Sequence, residues 1–192
     1  QEDKSVREVN HVINKYKLPK EFLLYVGSIE ERKNLLTLLK VISNIADQKL
    51  IVIGDGKAYK KKCLNFIDNN NLNNKVIFLK NLNISEMACI YQKADIFIYP
   101  SIFEGFGIPI LEALFCKTPV ITSMGSCFSE AGGKHSKYID PLNAEEITQA
   151  ILEIKSNKKL RELMIEEGYK YAQNFKDKKI SKNLISIYNS VL

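Results

Sequence analysis

Two glutamates, Glu104 and Glu112, flank a short glycine-containing segment that suits the binding of a phosphorylated ligand. Gly105 and Gly107 let a ligand approach the backbone closely, and Pro109 suits the first turn of a helix, where its missing N–H is not needed. Free N–H groups and the positive end of such a helix attract an anion. Because each carboxylate can accept hydrogen bonds from two neighbouring hydroxyl groups, the pair favours a ligand with a sugar at both ends of a diphosphate. A nucleoside diphosphate sugar is such a ligand.

Short apolar runs alternate with helical patterns along the chain, and this alternation must position the segment. The apolar runs predict strands at 22–26, 50–53, 76–79, 95–99 and 119–122, with a sixth at 138–139. Helices are predicted at 4–16, 34–45, 58–68, 85–93, 109–116, 145–154, 159–173 and 178–188. Such alternation predicts an α/β fold with a single doubly wound, Rossmann-like parallel sheet of about six strands and helices on both faces. Ligands of these sheets bind at the carboxyl ends of the strands.

Composition is typical of a soluble globular protein. The chain has 192 residues, which we interpret as one domain spanning 1–192. Its hydrophobic fraction of 45% and charged fraction of 26% are near the averages for globular proteins and disfavour disordered and fibrous classes. No run of eighteen apolar residues predicts a membrane span, and the first twenty residues lack the apolar centre of a signal peptide. We therefore expect a cytoplasmic protein.

The net charge limits which partners the sequence favours, and the cysteine spacing bears on disulfides and metal sites. The net charge of +6 fits attraction to phosphates, to nucleic acid or to the anionic inner face of a cell membrane. No basic stretch is interleaved with aromatic residues, so the sequence disfavours nucleic acid and leaves a peripheral membrane contact open. The four cysteines have no CxxC pairing, which favours reduced thiols over disulfides or a zinc site. We expect no metal and no cofactor.

A second glycine pair, Gly54 and Gly56, follows the second predicted strand and could suggest a dinucleotide site. The third glycine of that pattern is absent, and no acidic residue closes the next strand. The sequence therefore disfavours an NAD site, and Asp55 is interpreted as a turn residue.

Residues 100–113, PSIFEGFGIPILEA, resemble the motif of retaining glycosyltransferases of family 4, in which seven residues separate two glutamates. Residues 25–35 and 51–56 are similar to the first two strand and loop segments of that family. The resemblance covers about 19–175. It implies the C-terminal, nucleotide-sugar-binding (donor) domain of a GT-B fold, with the N-terminal acceptor domain absent from this chain.

The resemblance also implies a role for individual residues. These are Arg32 and Lys33 for the donor diphosphate, Glu104, Gly105, Phe106 and Gly107 for the transferred sugar, Glu112 for the ribose, and Leu79 and Lys80 for the base. Glu104 would be the catalytic residue. Many members of the family carry arginine directly after the glycine of the first strand, whereas here Ser28 follows Gly27. This departure predicts that fewer cations contact the diphosphate and that its binding depends more on Arg32.

The implied reaction is the transfer of a sugar from a GDP- or UDP-linked donor, with retention of configuration, to a glycan or a lipid-linked acceptor in surface polysaccharide synthesis. The acceptor would bind through the missing domain, so this chain alone is expected to be inactive. No metal is implied, because cationic side chains and helix N–H groups stabilise the diphosphate. A noncatalytic module that binds a nucleotide or sugar phosphate stays open, and a nucleotide-sugar epimerase is disfavoured by the Glu-Gly-Phe-Gly pattern.

Overall fold

A computed structural model of the protein describes residues 4–125, 127–176 and 179. Within these residues one sheet contains six parallel strands in the order β3-β2-β1-β4-β5-β6. The strands are β1 (Leu23–Val26), β2 (Leu50–Ile53), β3 (Val76–Leu79), β4 (Ile96–Tyr99), β5 (Val120–Ser123) and β6 (Lys137–Ile139). The doubly wound, Rossmann-like sheet predicted from the sequence is confirmed, with bounds that differ by one residue at several strand ends.

Eight α-helices and two 3-10 turns connect the strands in the described part of the chain. The helices are α1 (Val6–Lys15), α2 (Leu35–Asn44), α3 (Ala58–Asn69), α4 (Ile84–Lys93), α5 (Ile108–Phe115), α6 (Cys127–Gly132), α7 (Ala144–Ser156) and α8 (Lys158–Ala172). The 3-10 turns are Glu31–Lys33 and Gln173–Phe175. Helix α6 was not among the predicted elements. The helix predicted at 178–188 lies outside the described residues.

Alternating strand residues divide the apolar interior into two cores, one on each face of the sheet. Leu24 and Val26 pack with the helices α1, α4 and α5 on one face. Leu23 and Tyr25 pack with α2, α3 and α7 on the other. Successive side chains of a strand point to opposite faces, so both faces of β1 must be apolar, as its fully buried sequence Leu-Leu-Tyr-Val is. Because the six strands are parallel, their carboxyl ends lie along one edge of the sheet.

A single carboxylate, Glu86, joins α1 to α4. It accepts hydrogen bonds from Lys15 Nζ at 2.5 Å, from the Tyr16 hydroxyl at 3.0 Å and from the backbone N–H of Asn83 at 3.0 Å. The Asn83 side chain in turn accepts the N–H of Glu86, which completes a capping box at the start of α4. The bond from Lys15, followed by that from Asn83, lowers the pKa of Glu86 to about 2.

The helices of the described residues include none with the length and apolar content needed to cross a bilayer. The thiols of Cys63, Cys89 and Cys116 are buried and that of Cys127 is half-buried, all four without a disulfide.

Candidate functional site

The loops that follow β1 and β4 meet at the carboxyl edge of the sheet because these two strands are direct neighbours. The N–H of Ile102 donates to the carbonyl of Arg32 at 2.7 Å, which fastens one loop to the other. Residues predicted separately from the sequence, at 32–33 and at 104–107, are therefore brought together at the edge where ligands of such sheets bind.

A 3-10 turn over Glu31–Lys33 sets the direction of the two cations in the first loop. The turn ends at Asn34, whose φ of 57° lies in the left-handed region that asparagine tolerates better than most residues. Asn34 is held there because its side chain accepts from the Thr37 hydroxyl and donates to the carbonyl of Pro141, both within hydrogen-bond distance. As a result Lys33 points into the protein and Arg32 points along its surface.

Lys33 is a buried lysine, only 6% exposed, and its ammonium has specific partners. The Nζ atom lies 2.6 Å from Oε1 of Glu104, donates to the hydroxyl of Tyr99 and stands 4.7 Å from the centroid of the Tyr99 ring. A Cβ at Gly27 would meet the Lys33 stem at 3.7 Å, an ordinary van der Waals contact, so the φ of 149° is what favours glycine there. A lysine so buried and paired is held in one orientation, as a site that binds an anion requires.

Arg32 shares the same carboxylate oxygen. Its Nη1 atom lies 2.9 Å from Oε1 of Glu104, while its Nε atom lies 3.1 Å from Oε2 of Glu30. Burial would raise the pKa of Glu104, but the hydrogen bond and charge of Lys33, and then the charge of Arg32, outweigh it and lower that pKa. Glu104 is therefore ionised at neutral pH and acts as a hydrogen-bond acceptor and a fixed negative charge.

The segment that follows Glu104 leads directly into α5. Gly107 is the N-cap of this helix with a φ of 109°, a conformation that favours glycine, and a Cβ there would lie 3.0 Å from Cδ1 of Ile110. Pro109 lies in the first helical turn, as predicted. In the described part of the chain none of the N–H groups of residues 103–107 donates a hydrogen bond. These groups are available to a ligand.

Glu112 lies one turn into α5 and faces a separate small cavity. It is half-buried, and the hydroxyl of Tyr91 donates to its Oε2 atom at 3.0 Å. Burial raises the pKa of the Glu112 carboxyl, against the opposing effect of the bond from Tyr91. The cavity, of about 160 Å³, is lined by Leu82, Ile84, Met87, Ala88, Tyr91 and Glu112. Among the described residues no hydrogen bond or ion pair links Glu112 to Glu104.

The residues predicted to bind a base lie at the end of β3. Leu79 is buried, and its carbonyl accepts the N–H of Gly54 at 3.3 Å, whereas Lys80 is exposed. Leu82, in the same loop, lines the cavity that contains Glu112. The loop after β3 and the first turns of α5 thus border one space, although the roles of Leu79, Lys80 and Glu112 stay predictions.

The glycines of the Gly54 to Gly56 turn lie against the backbone of the loop that follows β1. A Cβ on Gly54 would lie 1.9 Å from the carbonyl oxygen of Gly27, and one on Gly56 would lie 2.3 Å from the carbonyl oxygen of Ile29. Asp55 accepts from the N–H of Gly56 at 2.9 Å and from Lys60 at 2.7 Å, which is the behaviour of a turn residue. The glycines are explained by contact between two backbones, not by a ligand.

Two tyrosines of the site were missed by sequence reasoning. Tyr99 was assigned to a strand and Tyr91 to a helix, and both are almost fully buried. For Tyr99 the available signal was a hydroxyl at the carboxyl end of an otherwise apolar strand, where a buried polar group requires a partner. In the ranges that the structure describes, no three His, Cys, Asp or Glu side chains are grouped closely enough to hold a metal ion.

The chain matches known proteins over most of its length. It is 30% identical to a glycosyltransferase of unspecified activity from Methanocaldococcus jannaschii, over 88% of this chain and 48% of that protein. It is 26% identical to O-antigen chain mannosyltransferase B of Escherichia coli, over 96% of this chain and 50% of that protein. The chain thus spans about half the length of these curated relatives.

A solved structure shows the fold, and a family model gives the family. Anabaena HepE in complex with UDP-glucose superimposes with a TM-score of 0.87 at 18% identity, over 98% of this chain and 54% of HepE, which confirms the fold. The family model described as glycosyl transferases group 1 matches residues 6–171. With this match over most of the described residues, the chain belongs to the glycosyl transferases group 1 family.

Proposed function

We propose that this chain is the donor-binding domain of a retaining glycosyltransferase, which binds a nucleoside diphosphate sugar for transfer to a glycan or lipid-linked acceptor. The observation that carries the proposal is the cluster of Lys33, Arg32 and Glu104 at the carboxyl edge of the sheet. Two cations beside an ionised carboxylate, next to free N–H groups at a helix start, match the charges of a diphosphate joined to a sugar.

Lys33 and Arg32 would stabilise the nucleoside diphosphate as it leaves the sugar. When a glycosidic bond to a diphosphate breaks, negative charge grows on the departing oxygen, and fixed positive groups stabilise it most where water is excluded. Lys33 is buried and already oriented by Tyr99, so it needs little rearrangement at that moment. Arg32 is half-exposed and its planar guanidinium suits two phosphate oxygens at once. This pair supports a mechanism in which side chains supply the positive charge.

Glu104 suits the sugar side of the same bond. Its lowered pKa keeps it ionised, so it accepts hydrogen bonds from sugar hydroxyls. Its negative charge also stabilises the positive charge that develops on the sugar ring in such reactions. The N–H groups of Phe106 and Gly107 add donors beside it. We assign Glu104 as the catalytic residue and residues 104–107 as the sugar subsite.

Glu112 and the loop after β3 would bind the nucleoside. The carboxylate of Glu112 accepts the ribose hydroxyls, and Leu79 and Lys80 border the base. The structure of HepE holds UDP-glucose, and the Escherichia coli relative is a mannosyltransferase, so the proposal covers UDP- and GDP-linked donors. The O-antigen relatives support a role in surface polysaccharide synthesis. We propose that the protein acts in the cytoplasm, at the inner face of the cell membrane.

The acceptor side belongs to a part of the enzyme beyond this chain. The match to about half of each curated relative supports a second domain that binds the acceptor and closes the cleft against water. By itself the chain would bind the donor and fail to transfer the sugar.

Calorimetric titration of the chain with UDP, GDP, ADP and their sugar conjugates tests the proposal. One nucleoside diphosphate should bind, and Lys33→Ala should weaken it by about 1–3 kcal/mol, the usual value for a charge-assisted hydrogen bond. Lys40→Ala, an exposed lysine on α2, is the matched control and should bind as the wild type does. Equal affinity in all three proteins, or no binding to any nucleotide, would remove the assignment.

A second comparison separates the sugar subsite from the phosphate clamp. Glu104→Ala should lose more affinity for the sugar conjugate than for the nucleoside diphosphate alone, because only the conjugate has hydroxyl groups at that carboxylate. An equal loss for both ligands would contradict the sugar role of Glu104.

A further inference from the structure

Phe106 is the apolar anchor of an otherwise exposed segment. Its neighbours Ile102, Phe103 and Ile108 are 51%, 65% and 63% exposed, whereas Phe106 is half-buried against the core that contains α5. None of the N–H groups at 103–107 donates a hydrogen bond in the described residues, so side-chain contacts add to the order that the few bonds accepted by its carbonyls supply.

The partner of Phe106 comes from a distant part of the sequence. The ring of Phe175, in the 3-10 turn that follows α8, lies with its centroid 5.8 Å from that of Phe106, at an interplanar angle of 57°. This separation and tilt are within the range that aromatic pairs prefer. The contact joins the sugar-side loop to the end of α8.

The ring of Phe175 packs in turn against Tyr171, which is joined to α6. The ring of Tyr171 packs against it at 5.5 Å, and the Tyr171 hydroxyl donates to the carbonyl of Glu130 in α6 at 2.6 Å. Gly133 follows α6 with a φ of 65°, and a Cβ there would lie 2.7 Å from the Tyr171 ring. The aromatic ring thus packs directly on the backbone, which fixes the end of α8 to α6.

Helix α6 also contacts the loop from its other end. The thiol of Cys127, its first residue, lies 3.2 Å from the carbonyl oxygen of Glu104. The Glu104 carboxylate is meanwhile held by Lys33 and Arg32. The aromatic contact at Phe106 is therefore separate from the contacts that hold the cations.

We propose that Phe175 is a positioning residue for the sugar subsite, since its ring holds Phe106 so that the N–H groups of Phe106 and Gly107 face the transferred sugar. The inference rests on the proposed donor function and extends it to a residue outside the glutamate motif. Because Lys33 and Arg32 do not depend on Phe175, its loss affects the sugar and spares the diphosphate.

Backbone ¹⁵N relaxation of the ligand-free chain tests the positioning without any donor. The order parameters of Gly105, Phe106 and Gly107 should be about 0.85 in the wild type and fall below about 0.6 in Phe175→Leu. Tyr169→Leu, in the preceding helix α8 and packed near Lys117 at 4.9 Å, is the matched control and should leave them unchanged. Phe175→Tyr keeps the ring and should restore the wild-type values. Unchanged order parameters in Phe175→Leu would overturn the proposal.

Titration then tests the consequence for ligands. Phe175→Leu should bind the nucleoside diphosphate as the wild type does and lose about fivefold to tenfold in affinity for its sugar conjugate, equivalent to one hydrogen bond. A loss that is equal for both ligands would overturn the proposal in favour of a general structural role. If the wild type binds no nucleotide while its loop order still depends on Phe175, the positioning stands and the donor function fails.

Discussion

At the scale of single residues, the site depends on how the burial of each charged group is compensated. Lys33 is removed from water but has Glu104 and Tyr99 as partners, so its ammonium group is compensated and held in one direction. Glu112 has one hydroxyl partner, Tyr91, and its pKa is raised by burial. Of the two glutamates of the motif, Glu112 is therefore the one whose surroundings leave more capacity to accept further hydrogen bonds.

The ribose role of Glu112 predicts a specific pattern of ligand discrimination. Glu112→Ala should weaken nucleoside diphosphate binding by about 1–3 kcal/mol, because a carboxylate that accepts hydroxyl groups is lost. In calorimetric titrations of the wild type, a 2′-deoxy nucleoside diphosphate should bind more weakly than the ribonucleotide. In titrations of Glu112→Ala, the two ligands should bind with equal affinity.

Glu166→Ala, which removes an exposed glutamate from α8, is the control for this comparison and should keep the preference for ribose. A deoxynucleotide penalty that persists in Glu112→Ala would place the ribose elsewhere.

At the scale of elements, two contacts fix the loops and helices around the site. The carboxyl ends of β1 and β2 touch through Gly27 and Gly54, and α1 is joined to α4 through Glu86. The first contact sets where the loop with Arg32 and Lys33 begins. The second supports α4, which carries Tyr91 beside Glu112.

Gly54→Ala should be severely destabilising. The new Cβ would lie 1.9 Å from the carbonyl oxygen of Gly27, and the φ of 153° disfavours any side chain. Because the obstacle is backbone, we expect a loss of about 3 kcal/mol or more in the free energy of unfolding, measured by urea denaturation. Gly105→Ala, where a Cβ meets nothing within 4 Å, is the matched control and should lose far less.

Glu86 predicts an acid-dependent stability. A carboxyl whose pKa in the folded protein is lowered to about 2 stabilises the fold above its unfolded pKa of about 4.3, and this contribution is lost as the pH falls toward 2. The difference in Tm between wild type and Glu86→Gln should therefore be greatest near neutral pH and shrink as the pH falls from about 5 toward 2.

Thermal unfolding followed by circular dichroism across this pH range measures the effect. Glu162→Gln, at an exposed position paired with Lys158 at 3.7 Å, should change Tm little at any pH. A Tm difference for Glu86→Gln that is independent of pH would show that the carboxylate charge is not what joins α1 to α4.

At the scale of the whole molecule, most of the architecture could be predicted from the sequence because its signals are local. Strands β1, β2 and β4 are continuous apolar runs that are buried on both faces, and such runs can be recognised without tertiary information. Helix α6 was missed because six residues are too short to show a helical period.

The site was predictable only in part for a related reason. Glu104, Lys33 and Arg32 have residue types that suggest chemistry, and the loops that carry them follow adjacent strands of the sheet. Tyr99 and Phe175 look like core residues in the sequence, and their roles depend on contacts across 66 and 69 positions of the chain. Contacts of that separation are set by packing of the finished fold, which no local pattern encodes.

The shared oxygen of Glu104 has a consequence for how the protein responds to its solvent. Since Lys33 and Arg32 already have an internal counter-ion, these two side chains have little need to recruit an anion from the buffer. An entering diphosphate then exchanges one negative partner for another and displaces few condensed salt ions. The affinity for the donor should accordingly fall less steeply with ionic strength than it would at a site whose two cations had no internal counter-ion. Chloride or free phosphate should compete poorly for the two cations.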